Sequence, residues 1–446
     1  MILSREEAKA LADRVLSFSM ADETRVNIMS EENGNTRFAD AQITTSGGAA
    51  DTSVTVTATM GRRRASASTN VLDDASLRRT VALAAQLARL SPEDPELMPE
   101  LGPQTYVDVG AYVDRTADLV GETRAAAVQR VVDGALAAGK TAGSVFVAGF
   151  LDSNARTIAV ATSRGLFAFH RTTDADLSVT SRTPDGTGSG WSRAGSRDWG
   201  AIDPAALGRI AAQKAVASRN PQPIEPGMYT AVLEPQAVND LVPLLGPALN
   251  ARNADEGRSA FSKAGGGNRI GETVVDERVT LYSDPADANL RGTPFDLEGL
   301  PVRRMVWIEN GVLRNLSYSR FWAQKQGKQP TGAQALLGGL TLAGGTKTTE
   351  ELIAGCERGV LVTHFFYIRS LDPRTVLNTG LTRDGAFLIE KGTITRSLKN
   401  FRWNESPLLM LNRLEDIGRP EPTAAGRMMP ALRVRNFNFA SLSDAV

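Results

Sequence analysis

Cysteine and histidine are almost missing from this chain. Cys356 stands alone, so the fold has no internal disulfide and no cysteine-built zinc site. His170 and His364 are the only imidazoles and lie far apart, which leaves no local His-x-x-His or His-Glu-x-x-His pattern. Net charge is missing too: 50 Lys and Arg balance 50 Asp and Glu, so no overall field draws the molecule to nucleic acid or an anionic membrane. No apolar run reaches the roughly eighteen residues of a spanning helix. The first residues, Met1-Ile2-Leu3-Ser4-Arg5-Glu6-Glu7, are charged at once and lack the apolar segment of a secretory leader. The expectation is a cytoplasmic protein with no membrane partner and no nucleic-acid partner.

The 446 residues are 42% hydrophobic and 22% charged, ordinary for a folded chain and longer than one domain usually runs. Ser4 and Glu7 make a capping box ahead of Ala8, Leu11, Ala12, Val15 and Leu16, which predicts a first amphipathic helix packed on a sheet. Segments 25–30, 36–44 and 52–59 are rich in Val, Ile and Thr, with a predicted hairpin turn at Glu32-Asn33-Gly34-Asn35 between the first two. Asp73-Asp74 opens a second helix that stops before Ser91-Pro92. The proline-dotted stretch 90–110 reads as an extended connection, and helical patterning resumes over 114–138. Strands at 144–151, 157–162 and 165–181, a polar loop at 183–190 and a helix at 204–218 complete the first half.

The prolines at 221, 223 and 226 deny both helix and ladder donors, so they mark a linker. This gives an N-terminal α+β domain over 1–220 and a β-rich C-terminal domain over 221–446. Helical signal beyond the linker is confined to about 237–251, 321–326 and 349–356. Segments 306–313 and 387–394 read alike, apolar strands joined by Glu309-Asn310-Gly311 and Glu390-Lys391-Gly392, each a hairpin with a type I′ turn. The fold class expected is α+β: an antiparallel sheet with covering helices, then a mostly antiparallel β domain whose sheet edges dimerisation would bury.

Few residues offer chemistry. Cys356 lies eight positions before His364, an invitation to a thiol–imidazole nucleophile, but Cys356 closes an amphipathic helix and His364 sits in an alternating apolar strand, so core packing explains both. His170 reads as the polar tip of an alternating strand at a sheet edge. Glycines at 186–190 and 265–267 lack the P-loop pattern and read as loops. Arg62, Arg63 and Arg64 read as a solvated turn or an ion-pair site rather than a DNA contact.

Phe295-Asp296-Leu297-Glu298-Gly299-Leu300-Pro301, Ile308-Glu309-Asn310-Gly311-Val312-Leu313 and Tyr318-Ser319-Arg320-Phe321-Trp322-Ala323 follow one another in the second half. Glu351-Leu352-Ile353, Gly359-Val360-Leu361-Val362-Thr363 and Leu388-Ile389-Glu390-Lys391-Gly392-Thr393-Ile394 come later. This ordered set resembles the TldD/PmbA family, labelled modulators of DNA gyrase and related to metallopeptidases, over essentially the whole chain. In the TldD branch the resemblance implies a helix with His-Glu-x-x-x-His that holds zinc and activates water, together with a late cysteine ligand. Here the corresponding segment, 233–249, contains no histidine, and 418–426 contains no cysteine.

The resemblance therefore implies the PmbA (TldE) branch: a non-catalytic subunit of a cytosolic zinc metallopeptidase that binds peptides and helps degrade them, with no cofactor on this chain and zinc on a TldD-type partner. No catalytic or metal-binding residue is assigned. Tyr318 and Arg320 are the candidate peptide contacts, because a guanidinium suits a peptide carboxylate or carbonyl. A stand-alone homodimeric binder of peptide or ligand, or an autonomous non-metal hydrolase, are the alternatives.

Overall fold

The computed structural model describes residues 2–140, 144–331 and 339–443. The chain opens as its caps dictate. The Ser4 hydroxyl accepts from the Glu7 amide and the Glu7 carboxylate from the Ser4 amide, which starts α1 (Arg5–Ser17). Then come β1 (Glu23–Ala39), β2 (Gln42–Met60), β3 (Arg63–Thr69), α2 (Asp74–Leu90), α3 (Asp114–Ala117), α4 (Gly121–Gly139), β4 (Phe146–Thr162), β5 (Phe167–Arg182), β6 (Ser189–Ser196) and α5 (Pro204–Ala217). The six strands form one antiparallel sheet in the order β3-β2-β1-β4-β5-β6.

One face of this sheet carries two apolar patches. Val26, Ile28, Val54 and Val56 lie under α1 and α2, and Phe38, Val147, Leu151 and Val179 lie under α4 and α5. The two latter helices touch backbone to backbone: a Cβ on Gly134 would stand 2.2 Å from the Ala205 carbonyl oxygen, and one on Gly208 would stand 2.0 Å from that of Val131.

The predicted turn at Asn33-Gly34 is absent. β1 runs straight through it, because β2 on one side and β4 on the other satisfy its backbone, with Gly34 opposite both Gly48 and Ser153. Glycine is needed there for space, since the Arg124 guanidinium lies 2.2 Å from where a Cβ would sit. The real turn is Asp40-Ala41, both with positive φ (50° and 58°). β4 likewise fuses two predicted strands, and β6 occupies sequence read as loop and gap.

The second half is built from β7 (Gly227–Leu233), α6 (Pro235–Leu241), α7 (Ala251–Asp255), β8 (Leu281–Ser283), β9 (Met305–Glu309), β10 (Val312–Leu313), α8 (Arg320–Gln326), β11 (Leu340–Leu342), α9 (Thr349–Ala354), β12 (Arg358–Asp372), β13 (Leu377–Glu390), β14 (Thr393–Leu398), β15 (Phe401–Glu405), α10 (Pro407–Asn412), β16 (Leu414–Ala424) and β17 (Arg427–Leu442). Its eleven-stranded sheet is mostly antiparallel, with parallel pairs β7–β12 and β11–β17. Because β7 pairs both β12 and β17, the strands β7-β12-β13-β15-β17 close into a ring. Phe365, Phe401, Trp403, Phe437 and Phe439 pack on one another in this half's core at ring separations of 4.8–6.2 Å.

Both resembling hairpins carry positive φ at their two central residues, Asn310-Gly311 and Lys391-Gly392, as a type I′ turn requires. The helix expected over 237–251 ends at Leu241 and continues as a 3₁₀ stretch over Val242–Leu249, where Pro243 and Pro247 remove the amides that α-helical bonds need. No helix among the described residues is long and apolar enough to cross a membrane.

Candidate functional site

The segment from Glu234 to Leu249 lies where the two sheets meet. Glu234 accepts from Lys214 Nζ on α5 at 2.6 Å. On α6, Asp240 accepts from the Phe365 amide at 2.9 Å and from Gln236 Nε2 at 3.0 Å, which ties the helix to β12. Burial pushes the Asp240 carboxyl up, against the lowering effect of that amide and of His364. Asn239 Oδ1 is buried with no hydrogen-bond partner among the described residues. The segment carries no His or Cys, and its two carboxylates are engaged as just described. Among the described residues no three His, Cys, Asp or Glu side chains are placed to share a metal ion. The residues present do not fit zinc.

Beside α6 a bulge in the β12–β13 ladder turns Asp384 toward the first sheet. Asp384 (φ 53°) and Gly385 (φ 127°) both occupy left-handed backbone. Asp384 Oδ1 accepts from Ser189 Oγ of β6, and its Oδ2 lies 3.1 Å from His364 Nε2, whose ring stacks on Trp191 at 4.2 Å. Burial alone would raise the Asp384 carboxyl; the hydrogen bonds from His364 and Ser189 and the nearby charges of His364 and Arg383 hold it below its ordinary value. Ser189, Ser218 and Asp384 also line a cavity of about 400 Å³ between the halves. The carboxylate rather than the imidazole stands next to the serine, so this is not the serine–imidazole order of a base-activated nucleophile.

A second, larger cleft of about 680 Å³ opens around the β9–β10 hairpin and the segment after α8. Tyr318 is on its wall, held by its amide donating to Thr331 Oγ1 at 2.8 Å and by the Thr331 amide returning to its carbonyl. Burial, then Asp255, raises the Tyr318 hydroxyl above its usual value. Arg320 is not on that wall. Its guanidinium donates to Glu298 at 3.2 Å and to the Pro99 carbonyl at 2.6 Å, pinning the proline-rich connection of the first half to the start of α8. Arg303, Arg304, Arg314 and Lys328 line the cleft with Tyr318. Sequence reasoning passed over them, although the Arg303-Arg304 pair so close to Arg314 was a visible local excess of cations.

The remaining sequence candidates are not gathered into a site. Cys356 is buried among Val232, Leu352, Leu361, Phe387 and Ile389, and burial pushes its thiol up. His364 lies in β12, which starts two residues after Cys356, and is held instead by Asp384 and the Trp191 ring. His170 is not at an exposed edge: it is 7% exposed, its ring edge-on to Phe295 from the second half. Arg62 donates to the Pro95 carbonyl, Arg63 to those of Arg89 and Ser91, and Arg64 to that of Met98 and to Glu100, so all three staple the proline-rich connection to the β2–β3 turn.

The class of protein is set by two family models. The PmbA/TldA metallopeptidase central domain matches residues 111–219, and the PmbA/TldA metallopeptidase C-terminal domain matches residues 226–441. The chain belongs to the TldD/PmbA family. It is similar to a metalloprotease from Methanothermobacter thermautotrophicus, 27% identical over 226 residues that cover 48% of this chain and 47% of that one. It is also similar to a metalloprotease TldD homolog from Haemophilus influenzae, 28% identical over 144 residues, 29% of each chain. The chain thus spans about half the length of the first of these curated relatives and under a third of the second.

Among solved structures, TldE from Thermococcus kodakarensis superposes with a TM-score of 0.82 at 19% identity, over 97% of this chain and 99% of that one. A Thermotoga maritima protein named as a modulator of a DNA gyrase superposes with a TM-score of 0.84 at 19% identity and the same coverage. At that identity the likeness shows a shared fold.

Proposed function

We propose that this chain is the non-catalytic, TldE-like subunit of a cytosolic zinc peptidase, binding peptide while a TldD-type partner holds the metal. The observation that carries this reading is the segment 234–249: within a chain matched by the metallopeptidase family models, it offers no His or Cys and spends both carboxylates on internal bonds. The whole-chain likeness to TldE supports the same branch. Two surfaces suit the role. The outer edge of β2 has no strand partner among the described residues over 42–53, since β3 pairs only from Val54 on, so it can take a partner subunit or an extended peptide. The cleft lined by Tyr318 is large enough for several peptide atoms. The autonomous-hydrolase reading draws no support from Cys356 and His364, which are apart and separately packed.

The test is zinc content and peptidase activity of the purified chain, alone and mixed with a TldD-type protein from the same source. Activity only in the mixture, with metal only on the partner, is the expected result. Stoichiometric zinc on this chain, or chelator-sensitive cleavage by it alone, would overturn the proposal.

A further inference from the structure

The larger cleft has a chemical bias that its size alone does not supply. Its described lining holds four cations, Arg303, Arg304, Arg314 and Lys328, and no carboxylate. Two of the four are partly neutralised from outside the cleft, Arg304 by Asp284 at 3.7 Å and Arg314 by Glu309 at 3.1 Å. No ion pair forms on Arg303 or Lys328 among the described residues, although half of all charged side chains here are acidic. The floor between them is apolar, with Ile270, Leu300, Met305 and the Tyr318 ring, and Gln104 and Asn315 add amide groups. The walls are held rigidly: Asn315 Nδ2 donates to the Val306 carbonyl at 2.8 Å, and Thr331 is bonded to Tyr318 in both directions. An apolar pocket with unmatched cations at its rim fits an anionic group attached to an apolar side chain.

We infer that this cleft binds the free C-terminal carboxylate of a peptide, with Arg303 and Lys328 as its charge partners and the apolar floor receiving the last side chain. The inference rests on the peptide-binding reading above and adds the end of the peptide that is recognised. Arg303 is the principal partner, because a guanidinium presents a fork of donors to a carboxylate where an ammonium acts as a point charge. Both groups are solvent-exposed, so their contribution is screened and the preference weakens as ionic strength rises.

The experiment is fluorescence anisotropy on the full chain with two fluorescein-labelled peptides of identical sequence ending in Ala-Leu, one with a free carboxylate and one amidated. The free acid is expected to bind about tenfold more tightly at low salt, the size of one charge-assisted hydrogen bond. The double variant Arg303→Gln/Lys328→Gln is expected to bind both peptides with the weaker affinity, and Arg209→Gln, which removes a charge on α5, is expected to keep the preference. Equal binding of acid and amide by the unaltered chain overturns this inference and leaves peptide binding standing. Binding of neither peptide overturns both. A single-stranded DNA oligonucleotide that outcompetes the acid peptide, and loses its hold in the double variant, would assign the cleft to phosphates instead and overturn it as well.

Discussion

Replacing His170 should change how stability depends on pH. The imidazole is 7% exposed, lies edge-on to Phe295 at 6.4 Å, and its Nε2 has no hydrogen-bond partner among the described residues. Burial first, and the nearby Arg197 charge second, lower its pKa from 6.5 to about 4, with Asp108 acting weakly the other way. In the unfolded chain the ring takes a proton as pH falls through 6.5; in the folded chain it resists until about 4. Between those values the unfolded state binds more protons, so stability is complete above 6.5, declines as pH falls, and levels off below about 4. At 1.36 kcal/mol per pH unit, the whole decline attributable to this one group is about 3 kcal/mol. His170→Phe and His170→Leu remove the titration and also an unpartnered buried nitrogen. Urea denaturation at steps from pH 7.5 to 4.5 should show the variants within about 1 kcal/mol of the original chain at the upper end and more stable by about 2 kcal/mol at the lower. Stability profiles that stay parallel across this range, for both variants, would refute the assignment.

Other substitutions test single contacts. Glu100, whose side chain is fully buried, pairs with Arg25 at 3.2 Å and Arg64 at 3.0 Å; Glu100→Gln leaves two poorly solvated guanidinium groups unmatched and should cost about 3 kcal/mol in denaturation. Gly208→Ala should destabilise by about 1–3 kcal/mol even though alanine is the better helix former, because its Cβ meets the Val131 carbonyl oxygen 2.0 Å away; a gain in melting temperature would show that α4 and α5 are free to part. Cys356, 2% exposed, should react with a thiol reagent only as fast as the chain unfolds, and rapid stoichiometric labelling of the folded protein would contradict its burial.

Local chemistry was readable from the sequence where no other strand or helix intervened. Ser4 with Glu7 forms the cap its spacing predicts, Asp73 opens the second helix as expected by accepting from the Ser76 amide, and Asn310-Gly311 and Lys391-Gly392 make the predicted turns because each sits between only two strands. The same dipeptide at Asn33-Gly34 failed as a signal. There the chain is flanked on both sides, and ladder bonds to β2 and β4 outweigh turn preference. β6 was illegible for a related reason: Ser189 to Ser196 has no apolar alternation, and its place depends on α5, whose Ala211 carbonyl oxygen lies 2.2 Å from where a Cβ on Gly190 would be. A glycine chosen for close approach looks, in sequence, like a glycine chosen for a loop.

The candidate sites divide along the same line. That the segment 234–249 lacks histidine is a matter of counting, and no structure was needed to see it. The contacts that the segment makes were hidden, because Asp240, Phe365, Asp384 and Ser189 meet only through the crossing of α6, β12, β13 and β6. The outcome has a physical logic. A helix that holds a catalytic metal must keep its donors free of internal partners, whereas this one hydrogen-bonds its carboxylate to the amide of the neighbouring strand and so becomes part of the joint between the sheets. Arg320 makes the same point in reverse: its guanidinium was the natural choice for a ligand, yet it is bonded to Glu298 and Pro99, while Arg303, with no such partner among the described residues, lines the cleft with Tyr318. For a charged side chain, the internal bonds it does not make say more about ligand binding than its residue type does.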